Sequence, residues 1–268
     1  MPELPEVETI RRQLAPAIEG RRVVATWTHP AKNFVSAAFS ENAVFDTVRR
    51  RGKYLIVATT DGRELIVHLG MTGSLRIQMV PTEDPYVRVR WTFDNDTLLE
   101  FRDIRRFGRV QIVERGDYRT ITTLHTMGPE PLSKEFTGDS LYSALRTSRR
   151  PLKSQLLSQR PVAGVGNIYA DEALWRAQIH PSDRRVSRAR SEALAAAITE
   201  VLTESIERGG TTFRDYRDAN GQRGTNQLAL AAYGRGGQPC SRCGETLRSF
   251  VLDQRTTTYC PRCQPRRR

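Results

Sequence analysis

The chain opens Met1-Pro2-Glu3-Leu4-Pro5-Glu6, which sets a proline directly behind an initiator methionine and places two carboxylates close to it. A methionine ahead of a small residue is normally trimmed, so the mature chain is expected to begin with a free secondary amine at Pro2. An α-amino group titrates two or more units below a lysine, so an appreciable fraction is nucleophilic at neutral pH. Attack of such an amine on a sugar C1′ gives an iminium ion, a covalent electron sink. The same six residues also read as an ordinary helix start, with Pro5 pre-set for the first turn. Alone, they leave both readings open.

A second group of reactive side chains lies at the other end. All four cysteines fall in Cys240-Ser-Arg-Cys243 and Cys260-Pro-Arg-Cys263. Paired knuckles of this kind set four thiolates around a tetrahedral ion at about 2.3 Å. Four thiolates leave no position for water, so one structural Zn2+ is expected. Disulfides are disfavoured because the chain reads as cytosolic. Between the knuckles, 249–252 and 256–259 read as short strands, with Arg255 at a hairpin tip suited to a phosphate. The four histidines, His29, His68, His125 and His180, are too scattered in sequence for a metal site, and no Gly-x-x-x-x-Gly-Lys phosphate cradle is present.

The charge suits a polyanionic partner. Forty-two Lys+Arg oppose thirty Asp+Glu, for a net +12. Eight arginines against Glu245 and Asp253 lie in residues 234–268, so half the excess sits there. Arginine's planar fork matches phosphates and base edges. No apolar run approaches the roughly 18–20 residues that span a bilayer, the N-terminus shows no basic-then-apolar signal pattern, and its acidic start speaks against a transit peptide.

The elements that must position these groups fall into two styles. Val7, Ile10, Leu14 and Ile18 recur at helical spacing from Pro5, and Gly20 ends that helix. Eight short β-like runs follow: 22–28, 44–48, 54–59, 64–69, 74–78, 87–93, 98–101 and 109–114. They predict an antiparallel sandwich or barrel with the first helix packed on it. From Leu132 helices are expected at 139–147, 152–159, 167–177 and 187–208, the last stopping at Gly209-Gly210. Residues 218–225, rich in Gly, Asn and Arg, read as a mobile loop.

Taken together these residues strongly resemble the formamidopyrimidine-DNA glycosylase family. The resemblance rests on Pro2-Glu3-Leu4-Pro5-Glu6-Val7-Glu8, Arg51-Gly52-Lys53-Tyr54-Leu55, His68-Leu69-Gly70-Met71-Thr72-Gly73, Asp103-Ile104-Arg105-Arg106-Phe107-Gly108, Gly164-Val165-Gly166-Asn167-Ile168-Tyr169-Ala170-Asp171-Glu172 and the four cysteines. It implies a bifunctional glycosylase and AP lyase acting on oxidised purines in double-stranded DNA, as a monomer in the cytoplasm, associated with the nucleoid. Pro2 is then the nucleophile, and Glu3 the acid that protonates the deoxyribose ring oxygen. Lys53 contacts a phosphate and the damaged base, and Arg255 serves phosphate binding and δ-elimination. Asn167, opening a helix of a helix-two-turn-helix, grips phosphates beside the lesion, with Lys153 and His68 also expected at the DNA. The target nucleotide must be flipped out, and Met71, Arg105 and Phe107 match the three residues that fill the void.

The implied fold is α+β, with four segments. They are a catalytic β-sandwich at 1–115, a linker at 116–131, a helix-two-turn-helix domain at 132–233 that includes a lesion-capping loop at 217–230, and a zinc finger at 234–268. The chain departs from the family pattern at Ser158, at Glu83-Asp84, and at Thr225-Asn226, where two aromatics are usual. A capping loop with less apolar area is expected to be looser and to handle 8-oxoguanine less well than formamidopyrimidines. The alternatives are an oxidised-pyrimidine enzyme of the endonuclease VIII type and a zinc-ribbon protein that senses damage without catalysis. Pro2, Glu3 and Lys53 argue against the second.

Overall fold

The computed structural model describes residues 1–266. Helix α1 (Leu4–Ile18) buries Val7, Ile10, Leu14 and Ile18 along one stripe, as their spacing requires. The strands follow as β1 (Val23–Thr28), β2 (Phe45–Arg51), β3 (Tyr54–Thr59), β4 (Arg63–His68), β5 (Gly73–Gln78), β6 (Val87–Phe93), β7 (Leu98–Asp103) and β8 (Arg109–Glu114). Every expected strand is present. Strand β2 runs further than expected because Arg49-Arg50-Arg51 pair with Ile56-Leu55-Tyr54 across a two-residue turn.

The strands form two antiparallel sheets, ordered β1-β6-β7-β5 and β2-β3-β4-β8. Inward residues of both sheets share one core with α1, including Val57, Val67, Val89, Trp91, Phe93 and Phe101. This is the expected sandwich. Short helix α2 (Thr122–His125) falls in the stretch expected to be linker.

Helices α3 (Gly138–Leu145), α4 (Leu152–Leu157), α5 (Asn167–Arg176) and α6 (Arg188–Glu207) then precede a hairpin of β9 (Arg248–Leu252) and β10 (Arg255–Tyr259). No described helix is long and apolar enough to cross a membrane.

The chain divides into two compact units, Met1–His125 with Arg208–Gln227, and Thr126–Glu207 with Leu228–Arg268. Most of the capping segment therefore belongs with the sandwich, whereas the sequence set it among the helices. The reason is packing. Tyr216 and Ala219 are buried in the sandwich core, and Ala219 O accepts from Ile77 N at 3.1 Å. The four-cysteine segment clusters with the helices.

Candidate active site and metal centre

Pro2 is buried at the approach to α1, with Met1 exposed ahead of it, and Glu3 is 2% exposed. Glu6, one turn on, faces the same point. Its Oε2 accepts from Glu3 N at 2.8 Å and its Oε1 from Thr211 N at 2.7 Å. The carboxylate thereby satisfies a donor at the helix start, where four backbone N–H groups lack intrahelical partners. Gly210 makes this approach possible. It sits at φ +83°, and a Cβ there would lie 2.9 Å from Glu6 Cγ.

Lys53 occupies the β2–β3 turn, after Gly52 at φ +55°, and is 7% exposed. Arg50 fixes that turn to α1. Its Nε contacts Glu8 Oε2 at 3.1 Å, and its Nη1 donates to Gly52 O at 3.1 Å. Burial raises the Glu8 carboxyl, but Arg11, Arg12 and Arg50 outweigh it and hold it below its ordinary range.

His68 pairs across the sheet with Tyr54, ring centres 4.8 Å apart. Its Nδ1 accepts from Gly70 N at 3.2 Å. Burial, then the Lys53 and Arg109 charges, push its pKa down to about 4. His68 is therefore neutral at physiological pH, with Nε2–H as its donor.

Met71, Arg105 and Phe107 stand exposed on two loops, between β4 and β5 and between β7 and β8. The Arg105 guanidinium carbon lies 4.6 Å from the Phe107 ring centre, a cation–π contact. Gly70, at φ +65°, lets the first loop touch the second, since a Cβ there would meet Gly108 N at 2.6 Å. Glu83 is exposed, whereas Asp84 Oδ2 holds Arg102 Nε at 2.5 Å.

In the helical unit, α4, a two-turn connection and α5 are organised by Gln159. Its Nε2 donates to Val165 O at 2.6 Å and its Oε1 accepts from Gly164 N at 2.9 Å. Ser158 is exposed, its Oγ donating to Gln155 O at 2.6 Å and accepting from Arg160 N at 3.4 Å, both local contacts. Asn167 is the first residue of α5, partly exposed, with Nδ2 donating to Thr256 O at 3.4 Å.

Lys153 corrects an expectation. Expected at the DNA, it is instead fully buried, with Nζ 2.7 Å from Asp171 Oδ1 and donating to Thr257 Oγ1 at 2.9 Å and Thr256 O at 3.2 Å. Asp171 Oδ2 accepts from Thr258 N at 3.0 Å, so the ion pair fastens β10 to α4 and α5. Burial pushes the Asp171 carboxyl up, opposed by Lys153. Its neighbour Glu172 accepts from Ala231, Ala232 and Tyr233 N at 2.7–2.9 Å. The acidic pair of the Asn167–Glu172 motif thus does assembly work, which its sequence position does not announce.

Arg255 is exposed directly after a two-residue turn, Asp253-Gln254, both at positive φ. The four cysteine sulfurs lie within 4.8 Å of one another, Cys243 and Cys260 at 3.5 Å. Four thiolates on a zinc ion at about 2.3 Å stand roughly 3.8 Å apart, so this donor set fits a tetrahedral zinc site. Trp175 Nε1 donates to Cys240 Sγ at 3.4 Å.

The capping loop, 217–230, is expected from sequence to be looser where Thr225-Asn226 replace two aromatics. Asn226 is instead 4% exposed, its Nδ2 donating to Thr211 Oγ1 at 2.9 Å and its Oδ1 accepting from Arg208 Nη1 at 3.3 Å. Thr225 is exposed, and its N and Oγ1 both donate to Arg208 O. Arg50 and Thr211 escaped the sequence reading, and Thr72 and Asp103 entered it only as motif members without a role, because what they do lies in contacts between distant segments.

Comparison with known proteins agrees with this architecture. Family models match as the formamidopyrimidine-DNA glycosylase N-terminal domain over residues 1–110, its H2TH domain over 127–217, and a zinc finger found in FPG and IleRS over 237–266. The formamidopyrimidine-DNA glycosylase of Deinococcus radiodurans is 44% identical over 100% of this chain and 98% of its own. The crystal structure of MutM (Fpg) from Thermus thermophilus superposes with TM-score 0.91 at 44% identity, covering 98% of each chain. Lactococcus lactis Fpg, solved in complex with abasic-site DNA, gives TM-score 0.90 at 33% identity over 98% of this chain and 100% of that one. The chain belongs to the formamidopyrimidine-DNA glycosylase family.

Proposed function

We propose that this protein is a bifunctional DNA glycosylase and AP lyase that removes oxidised purines, formamidopyrimidines and 8-oxoguanine, from duplex DNA. The observation that carries the reading is the buried Pro2-Glu3 pair at the start of α1, held by Glu6, in a chain that matches its relatives over nearly its full length. The reacting base is inaccessible in a duplex, so the nucleotide is flipped out. Met71, Arg105 and Phe107 fill the space it leaves.

With Met1 removed, the Pro2 amine attacks C1′ and the C1′–N bond to the damaged base breaks. Glu3 protonates the ring oxygen as the sugar opens, leaving an iminium ion at C1′. Loss of a C2′ proton then expels the 3′ phosphate by β-elimination, and a second elimination releases the 5′ phosphate. Lys53 assists at the phosphate and lesion, and Arg255 supports the second elimination. His68 and Asn167 hold the DNA backbone. Lys153 acts through the hairpin it fastens.

Cys240, Cys243, Cys260 and Cys263 would hold one structural zinc ion, which supplies the fold of the hairpin carrying Arg255 and no reaction chemistry. The functional segments follow the family: a catalytic sandwich, a helix-two-turn-helix region with its capping loop, and a zinc finger. The protein works as a monomer, and its substrate places it with the cytoplasmic nucleoid.

The reading is tested by incubating the protein with duplexes containing 8-oxoguanine, a formamidopyrimidine or an abasic site, with and without borohydride. Reduction should trap a covalent complex that peptide mapping assigns to Pro2, and β,δ-elimination products should form without it. An adduct on Lys53, or no adduct on any of the three duplexes, would overturn it.

A further inference from the structure

The capping segment is pinned to α1 at both ends. At its entry, Asp218 Oδ1 accepts from Asn220 N and Gln222 N, and its Oδ2 accepts from Gln13 Nε2 at 2.8 Å. Gln13 Oε1 in turn accepts from Ala219 N at 2.8 Å. At its exit, Asn226 N donates to Gly210 O at 3.1 Å, and the Asn226 amide joins Thr211 Oγ1 to the Arg208 guanidinium. Thr211 N is bound by Glu6, whose other oxygen holds Glu3 N. Glu6 and Gln13 are seven residues apart, two turns along one face of the same helix.

We propose that Asn226 is a positioning residue for base excision, tying the exit of the lesion-capping loop to the Thr211–Glu6 strut under the reacting centre. The inference rests on the functional reading above and deepens it. A side chain at residue 226 that pointed at the lesion would add contact area; this one turns inward and pre-orders the loop instead. Ordering a loop before the ligand arrives removes that cost from capture. The benefit falls on steps in which a base occupies the pocket. An abasic site has no base to cap, so its cleavage depends on Pro2, Glu3 and Glu6 but not on the tether.

The test compares Asn226→Ala and Thr211→Val with the unaltered protein. Thr211→Val removes the hydroxyl that Asn226 donates to and keeps the backbone N–H that binds Glu6. Single-turnover excision of 8-oxoguanine should fall about five- to tenfold in each variant, while abasic-site cleavage falls less than about twofold, the scale of one buried hydrogen bond. Because both changes remove the Asn226–Thr211 bond, and Asn226→Ala removes the Arg208 contact as well, the double variant should be little worse than Asn226→Ala alone. Hydrogen exchange should quicken at amides 222–226 and stay unchanged at Ile10 and Leu14. Equal losses on both duplexes, additive effects, or unaltered exchange in the loop would overturn the tether. An unaltered protein inactive on both duplexes would instead overturn the functional reading, and the tether with it.

Discussion

Thr72 Oγ1 donates to Asp103 Oδ1 at 2.6 Å, and through this contact two loops far apart in sequence become one surface. Asp103 is wholly buried, its Oδ2 accepts from Gly108 N at 2.7 Å, and Thr72 Oγ1 accepts from Arg105 N at 3.1 Å. Met71 stands on one loop and Arg105 and Phe107 on the other.

Thr72→Val should therefore cost about 1–3 kcal/mol, because it leaves a buried carboxylate oxygen short of a donor. Arg105 would lose its backbone anchor as well. Arginine donates to the O2 and N3 acceptors of an orphaned cytosine, whereas adenine presents a donor amine. Thr72→Val and Arg105→Ala should both weaken the preference for cytosine opposite the lesion. Excision rates opposite all four bases check this. A cytosine preference unchanged in both variants would show that the loops do not read the orphaned base.

His68 gives the sandwich an acid sensitivity. Its folded pKa, about 4, lies below the ordinary histidine value, so between the two the unfolded chain binds a proton that the folded chain refuses. Its stabilising effect is complete above about pH 6.5 and is lost as pH falls toward 4. Between pH 7.5 and 5 the loss should be about 2 kcal/mol, and His68→Gln should remove most of that slope. The raised Asp171 pKa gives a slope of opposite sign in both proteins and cancels in the comparison. Urea denaturation across this range measures the difference.

Lys153 and Arg255 separate stability from DNA binding. Lys153→Met leaves Asp171 buried without its cation and should cost about 3–5 kcal/mol. Restoring an apolar pair with Lys153→Met/Asp171→Leu should recover much of the loss. For Arg255→Ala, stability should move by less than about 0.5 kcal/mol, whereas the salt dependence of DNA binding should flatten by about one phosphate. It should also shift products toward β-elimination alone. Denaturation curves and binding at several salt concentrations distinguish the two. A flattened salt slope in Lys153→Met, with stability unaltered, would return that lysine to the DNA.

Removal of metal should act on one unit. Cys240→Ser breaks the four-thiolate set, so zinc content should fall and the β9–β10 hairpin should lose order, because metal binding and local folding are coupled. DNA affinity should drop while the sandwich keeps its unfolding transition. Metal analysis with circular dichroism checks both, and DNA affinity undiminished after metal loss would contradict the role given to the hairpin.

The sequence by itself determined the elements and singled out the residues whose types could carry chemistry. Helix α1 and the eight strands were legible because apolar spacing at 3.6 and 2 residues is a local property, and the knuckles because four thiolates need only short spacing. Pro2, Glu3 and Lys53 were legible through motifs that survive as contiguous text. Only the tertiary structure decided what surrounds them. Lys153 and Arg255 look alike as basic residues, yet one is sealed against Asp171 and the other is exposed after a tight turn. Nothing within several residues of either distinguishes them, since burial depends on contacts about 100 residues away, such as Lys153 with Thr257. Asn226 is the sharpest case. In sequence it is a missing aromatic; in the fold its amide meets Thr211, Thr211 meets Glu6, and Glu6 reaches the residue beside Pro2. A hydrogen bond has direction and a reach of about 3 Å. Which polar groups come that close is set by the folded chain, and no local pattern encodes it.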